Sequence, residues 1–233
     1  MGIGSGEMKT VKSKALTVQP ILGMAGNRTK RCQIFGHSRS KQSTFRSLAL
    51  LLVLIAAQSG CSVKKIAVNK IGDSLASGGT TFTSDDDPDW VGEALPFSLK
   101  LMESLLAESP QHRGLLLAAS SGFTQYAFVY VQTPAEEVED QDLPKADYLR
   151  MRARHLYLRA RNYGLRDLEV KHRNFESELR QDAKAAVRKT GPKDVPLLYW
   201  TAVSWGAAIS VSKDDPEMIA DQPIVEEIGR AHV

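Results

Sequence analysis

The chain has 233 residues, 42% hydrophobic and 7% aromatic, with 2 cysteines and 30 Lys+Arg against 27 Asp+Glu. That length suits one ordinary domain with a tail, or two small ones, and the composition excludes a collagen, a disulfide scaffold and a wholly disordered chain. The formal charge of +3 hides an uneven layout: residues 1–60 hold nine basic residues and one acid, whereas the chain from Cys61 onward has 21 basic against 26 acidic residues, net −5. A nucleic-acid footprint is thereby excluded for that later part.

Residues 1–60 read as a disordered basic n-region followed by the h-region of a signal peptide. The run from Ser47 to Ala57 is uncharged, too short for the ~20 residues of a membrane span, and flanked by Lys41 and Arg46. Ser59-Gly60-Cys61 then resembles a bacterial lipobox, which marks Cys61 for acylation, although Gln58 departs from the aliphatic residue usual there. An ordinary signal peptide with an incidental cysteine is the alternative. Residues 61–84 form the lipidated N-terminus, a short helix from Ile66 to Leu75 and a Gly78-Gly79-Thr80-Thr81 linker.

Residues 85–226 read as an all-α domain of helical hairpins. Asp87-Pro88 supplies an N-cap and a proline at the first helical position. Leu95, Leu99, Met102 and Leu106 then form one apolar stripe, with Pro96 a kink point and Ser109-Pro110 the end. Leu115–Val131 is apolar on most of its circumference, and the acidic stretch from Pro134 to Pro144 reads as a surface loop or capped turn. Leu149, Ala153, Leu156, Ala160 and Tyr163 make another stripe, closed by Gly164 as a C-terminal cap. The opposite face carries Arg150, Arg152, Arg154, Arg159 and Arg161. Two short helices fit between Arg173 and Lys189, Asp194 caps an apolar helix from Leu197 to Val211, and Asp215-Pro216 starts the last. The hairpins suggest degenerate tetratricopeptide-like packing, in a compact bundle or a short solenoid. Residues 227–233 resemble a translated sequencing adapter and are set aside, so that the natural domain is expected to continue past Glu226.

Chemistry is hard to find. Gly72-Asp73-Ser74-Leu75 spells the nucleophile block of a GDSL-type esterase, but no strand precedes it and His232 has no aspartate three residues earlier. Without a base the Ser74 hydroxyl is a weak nucleophile. Asp85, Asp86, Asp87 and Asp89 lack the glycine and terminal glutamate of a calcium loop, and His112, His155 and His172 lack zinc-ligand spacing. No cofactor, no metal and no enzymatic activity are expected. Phe123, Tyr126, Tyr130, Trp200 and Trp205 read first as core and otherwise as a ligand pocket. The arginines, Arg152 and Arg159 above all, read as a solvated face or as a docking site for an acidic partner.

Several segments together resemble the TatT family, the T-component lipoproteins associated with TRAP transporters. They are Thr80 to Pro88, Glu93 to Phe97, Leu99 to Leu106, Gly122 to Ala127, Arg159 to Gly164, Val195 to Trp200, Trp205 to Ser210 and Lys213 to Pro216. The resemblance implies an outer-membrane-anchored periplasmic lipoprotein that binds a TRAP-type periplasmic solute-binding protein, assembles as a homotrimer, and handles a hydrophobic or organic-acid ligand. A helical scaffold for other envelope proteins with no small ligand is the alternative, and a GDSL-type esterase a remote one.

Overall fold

The structure, a computed structural model, describes residues 63–77 and 84–231. The h-region, Cys61, the Gly78 to Thr81 linker and His232 lie outside the described residues. The fold is all-α: among the described residues there is no strand. Helix α1 spans 63–77 and α2 spans Pro88–Glu108. Helix α3 (Arg113–Ala127) passes through a π turn, Phe128–Gln132, straight into α4 (Thr133–Val138). The longest helix, α5, runs Leu143–Lys171. It is followed by α6 (Phe175–Gln181), α7 (Ala183–Val187), α8 (Val195–Ser210), α9 (Pro216–Ala220) and α10 (Gln222–Arg230).

Aspartates start many of these helices because a carboxylate can accept the otherwise orphaned first-turn N–H groups. Asp87 accepts from Trp90 N–H at 3.0 Å, Asp142 from Lys145 at 3.0 Å, Asp182 from Ala185 at 2.9 Å and Asp215 from both Glu217 and Met218. Asn174 takes a left-handed φ of 63° between α5 and α6, a conformation its short polar side chain tolerates.

Helix α5 is the central strut, with α3 and α8 packed along it, α2 outside α3, and α10 outside α8. Two apolar cores result. Leu99, Met102 and Leu106 of α2 meet Leu115, Ala119 and Phe123 of α3 and Ala160 of α5. Tyr157, Leu165 and Leu168 of α5 meet Leu198 and Trp205 of α8, with Phe175, Leu179 and Ile228 closing that end. Segment 113–138 is long and apolar enough to cross a membrane, but Leu116, Ala119, Phe123, Ala127, Val131 and Ala135 are all buried inside the protein. It is a core helix, walled in by its neighbours.

Four local expectations are corrected. Gly164 does not end a helix: α5 continues to Lys171. The glycine is buried where α5 crosses α3 and α8, and a β-carbon there would collide with the Thr201 hydroxyl and come within 3.2 Å of Ser120 Oγ. Pro134 does not open a loop. The π turn has Thr133 N–H bonded to Phe128 carbonyl, which lets the ladder skip the proline, and the chain stays helical to Val138. Asp194 does not cap α8 with its side chain, for reasons given below. The arginines of α5 do not share one face. Arg150, Arg154 and Arg161 follow one stripe, while Arg152 and Arg159, seven residues apart, follow another.

Candidate functional site

A cavity of about 520 Å³ lies between α1, α2 and α3. Helix α1 contributes Leu75 and Ala76, α2 contributes Val91, Leu95, Leu99 and Met102, and α3 contributes Leu117, Ala118 and Gly122. Ala118 and Gly122 are small residues of α3 on this side. Gly122 already has Leu99 close: a β-carbon there would sit 2.8 Å from Leu99 Cδ2. Tyr130 and Trp200 wall the cavity, and Ser98, Ser121 and Gln125 give it polar edges. Among the described residues, no charged side chain lines it. The serine hydroxyls donate to their own helices, Ser98 to Ala94 carbonyl and Ser121 to Ala118 carbonyl, each at 3.1 Å.

The π turn holds Tyr130 in place. Its hydroxyl donates to the Pro88 carbonyl at 2.7 Å, and its ring lies so close over Gly92 that a β-carbon there would meet Cε1 at 2.6 Å. Desolvation, then the carboxylates of Asp89 and Asp87, push the phenol's pKa up.

A second, smaller groove of about 170 Å³ brings together Phe123, Tyr126, Arg152 and Arg159 with Pro96 and Glu103 of α2. Both arginines are exposed. The Arg159 guanidinium stands 5.4 Å above the Phe123 ring and 3.6 Å from Glu103. Arg152 donates to the Tyr126 hydroxyl at 3.4 Å. Tyr163 donates to Glu103 at 2.8 Å, and burial plus that bond push its phenol up to about 12. Burial works to raise the Glu103 carboxyl, but Lys100, Tyr163 and Arg159 outweigh it and hold it below its ordinary range.

The five aromatics therefore divide three ways. Tyr130 and Trp200 reach the large cavity, Phe123 and Tyr126 reach the arginine groove, and Trp205 is buried in the α5–α8 core. Trp205 donates its indole N–H to Asp221 at 3.2 Å and lies between Arg161 and Arg180, whose guanidinium carbons are 4.8 and 5.7 Å from its ring centre. Arg161 is thus a packed residue, stacked as a planar guanidinium can be. Arg150 pairs with Glu139 and Asp147, and Arg154 with Asp215.

A buried ionic joint escaped sequence reasoning. Asp194, fully buried, accepts from Lys171 at 2.7 Å, His172 at 3.1 Å, Gly191 N–H at 3.1 Å and Arg113 at 3.3 Å. Arg113 also donates to the buried Asp167 at 2.6 Å. The joint ties the start of α3, the end of α5 and the entry to α8. The partners lie between 3 and 81 residues from Asp194, and only the local Asp-Val-Pro pattern had a sequence signal.

Ser74 stands on α1 and donates to the Lys70 carbonyl at 3.1 Å. His112, which packs against α1 at Gly72, is already committed. Its Nδ1 accepts from Leu115 N–H, and its Nε2 faces Asn69 carbonyl at 3.2 Å and Asp73 at 3.3 Å.

Comparison with known proteins bears on residues 84–230, which match the family model described as TRAP transporter T-component. The chain is also 31% identical over 172 residues to an uncharacterised protein of Treponema pallidum (strain Nichols). The match covers 66% of this chain and 53% of that protein, so the chain spans about half the length of the relative.

Proposed function

Given that the chain belongs to the TRAP transporter T-component family, we propose that it is a non-catalytic, lipid-anchored accessory protein on the periplasmic face of the outer membrane. It docks the transporter's solute-binding protein through the groove of Arg152 and Arg159, and it holds an uncharged apolar ligand in the α2–α3 cavity. Tyr130 and Trp200 are the aromatics proposed to touch that ligand. Self-association as a homotrimer belongs to the same reading.

The observation that carries the ligand class is the lining of the 520 Å³ cavity, apolar with a few neutral polar edges. That volume is within the range of small-molecule sites. A carboxylate placed there would lose its hydration with no cation to receive it, a cost of several kcal/mol. This argues against an organic acid buried in the cavity and favours a neutral molecule. The groove supports partner docking through chemistry of the opposite kind, since exposed arginines beside aromatic rings are enriched where proteins bind one another.

Purified protein should be analysed by native mass spectrometry and solvent extraction for retained small molecules, and titrated against a TRAP-type solute-binding protein from the same organism. A retained neutral lipid-like species and saturable binding are expected. An empty cavity in protein from every growth condition, with the solute-binding protein still bound, would favour the ligand-free scaffold. Retention of an organic acid would overturn the ligand class.

A further inference from the structure

Helix α1 has two very different sides. On the inner side Gly72 is buried against Leu115 and His112, where a β-carbon would come within 2.8 Å of Leu115 Cδ1. Asn69 on the same side accepts from the Ser109 hydroxyl at 2.8 Å, and Leu75 and Ala76 wall the cavity. On the outer side Val63, Ile66 and Ile71 are 64%, 60% and 51% exposed. At 100° per residue these three fall with Ala67 and Lys70 within roughly 140° of arc. Three aliphatic side chains within about two and a half helical turns make one contiguous apolar patch, and nothing in the fold covers it among the described residues.

We propose that this outer face of α1 lies on a lipid surface with anionic headgroups. The inference rests on the reading of Cys61 as acylated. Only Ser62 separates Cys61 from the first residue of α1, and an extended chain spans at most about 3.6 Å per residue. An acyl anchor on Cys61 therefore holds Val63 within about 7 Å of the membrane boundary, and Ile66 is one helical turn further. The charge is complementary as well. Helix α1 carries Lys64, Lys65 and Lys70 against one acid, Asp73, a net +2 on a chain that is otherwise acidic past Cys61. At the same spacing Lys70 lies within the arc, Lys64 at one edge, where it reaches Glu108 at 2.7 Å, and Asp73 at the other, within 3.3 Å of His112, while Lys65 falls on the inner side beside Asn69. Aliphatic side chains between lysines are the pattern of a helix lying in a membrane interface. A protein-binding hot spot draws instead on tryptophan, tyrosine and arginine, which this face lacks.

The test uses mature protein purified from membranes and reconstituted in vesicles of phosphatidylcholine and phosphatidylglycerol. The variant Ile66→Cys carries an environment-sensitive fluorophore, and Lys184→Cys on the exposed side of α7 is the control. The label at 66 should shift to the blue and be quenched by shallow spin-labelled lipids, at least fivefold more than the label at 184. Lys70→Gln should weaken that quenching, by about fivefold in lipid affinity, whereas Lys65→Gln, on the inner side, should leave it unchanged. Circular dichroism checks that each variant keeps its helices. A label at 66 as open to an aqueous quencher as the one at 184 overturns the proposal. Mass spectrometry of the N-terminal peptide reports acylation separately. Loss of the acyl mass with the label still quenched rejects the Cys61 anchor alone and leaves the α1 contact standing.

Discussion

The hydroxyl of Tyr130 closes onto the carbonyl of Pro88 at 2.7 Å, and the ring it carries lies over Gly92. A side chain from the π turn thus latches the first turn of α2 at the edge of the cavity. Tyr130→Phe should remove one hydrogen bond and cost about 0.5–1.5 kcal/mol. Gly92→Ala should do more, since its methyl displaces the ring itself. Thermal melts of both variants, read beside the amount of retained small molecule, check the latch. Unchanged melting of Gly92→Ala would mean that the ring does not lie there.

Gly164→Ala should destabilise the protein by about 1–3 kcal/mol, as overpacking does, despite the ~1 kcal/mol that alanine normally gains over glycine in a helix. The sign decides the matter. The new methyl must push Thr201 or Ser120 away, and both are fully buried. A denaturant titration showing a more stable variant would reject the close crossing of α5 and α8.

Asp194→Ala should cost about 1.5–3 kcal/mol, because the charge-assisted bonds from Lys171, His172 and Arg113 are lost while Lys171 and Arg113, partly exposed, regain water. The pH dependence has a definite sign. Burial alone raises the Asp194 carboxyl, but the bonds from Lys171, His172 and Gly191 N–H outweigh it and hold it well below the usual range. A carboxyl depressed in the fold adds stability that is complete above its unfolded pKa, near 4, and that drains away as pH falls further. Asp167 moves oppositely, burial outweighing Arg113, so it subtracts above its raised pKa. Stability measured from pH 6 down to pH 2 should fall below about pH 4 in the wild type and more gently in Asp194→Ala.

Ser121→Phe should fill the cavity from α3 without touching the α3–α5 core, since Ser121 is only half-buried and lies on the cavity side. Retained ligand should disappear while helicity and binding of the solute-binding protein persist. Loss of both together would indicate that the cavity and the groove act as one site.

Arg152→Glu combined with Arg159→Glu should slow association with the solute-binding protein by tenfold or more at low salt, with a smaller effect at physiological salt. Surface-binding kinetics at two ionic strengths check this. Arg150→Glu is the control, since Arg150 already pairs with Glu139 and Asp147. Binding that ignores the double reversal would move the docking site elsewhere.

Elements whose signals are local were legible from the sequence. Asp87 caps α2 as the Asp-Pro pair implied, and Leu99, Met102 and Leu106 are buried as their spacing required. Two of the misreadings share a physical cause: Gly164 and Asp194 were each assigned a local role that a distant partner had taken. Gly164 looks like a helix cap because glycine often is one, yet Thr201, 37 residues on, explains it. Asp194 looks like an N-cap until Arg113 and Lys171 arrive from two other helices. Pro134 looks like a break because the register shift that accommodates it leaves no mark in the pattern of apolar residues. Beyond the aromatics Tyr130 and Trp200, the cavity was not legible, since its walls come from α1, α2 and α3 together.

The π turn has one more consequence, for insertion and deletion. It absorbs a single surplus residue within an otherwise continuous helix from Arg113 to Val138. Excising one residue between Phe128 and Gln132 would restore ordinary winding and leave the helix beyond it facing α5 as before. The same excision within α3 has no wide turn to take it up and would rotate all that follows by about 100°. Val131, Ala135 and the Gln132 side-chain oxygen that accepts from the Tyr157 hydroxyl at 2.6 Å would then swing away from α5. In this chain a wide turn keeps two faces of one helix in phase with different neighbours.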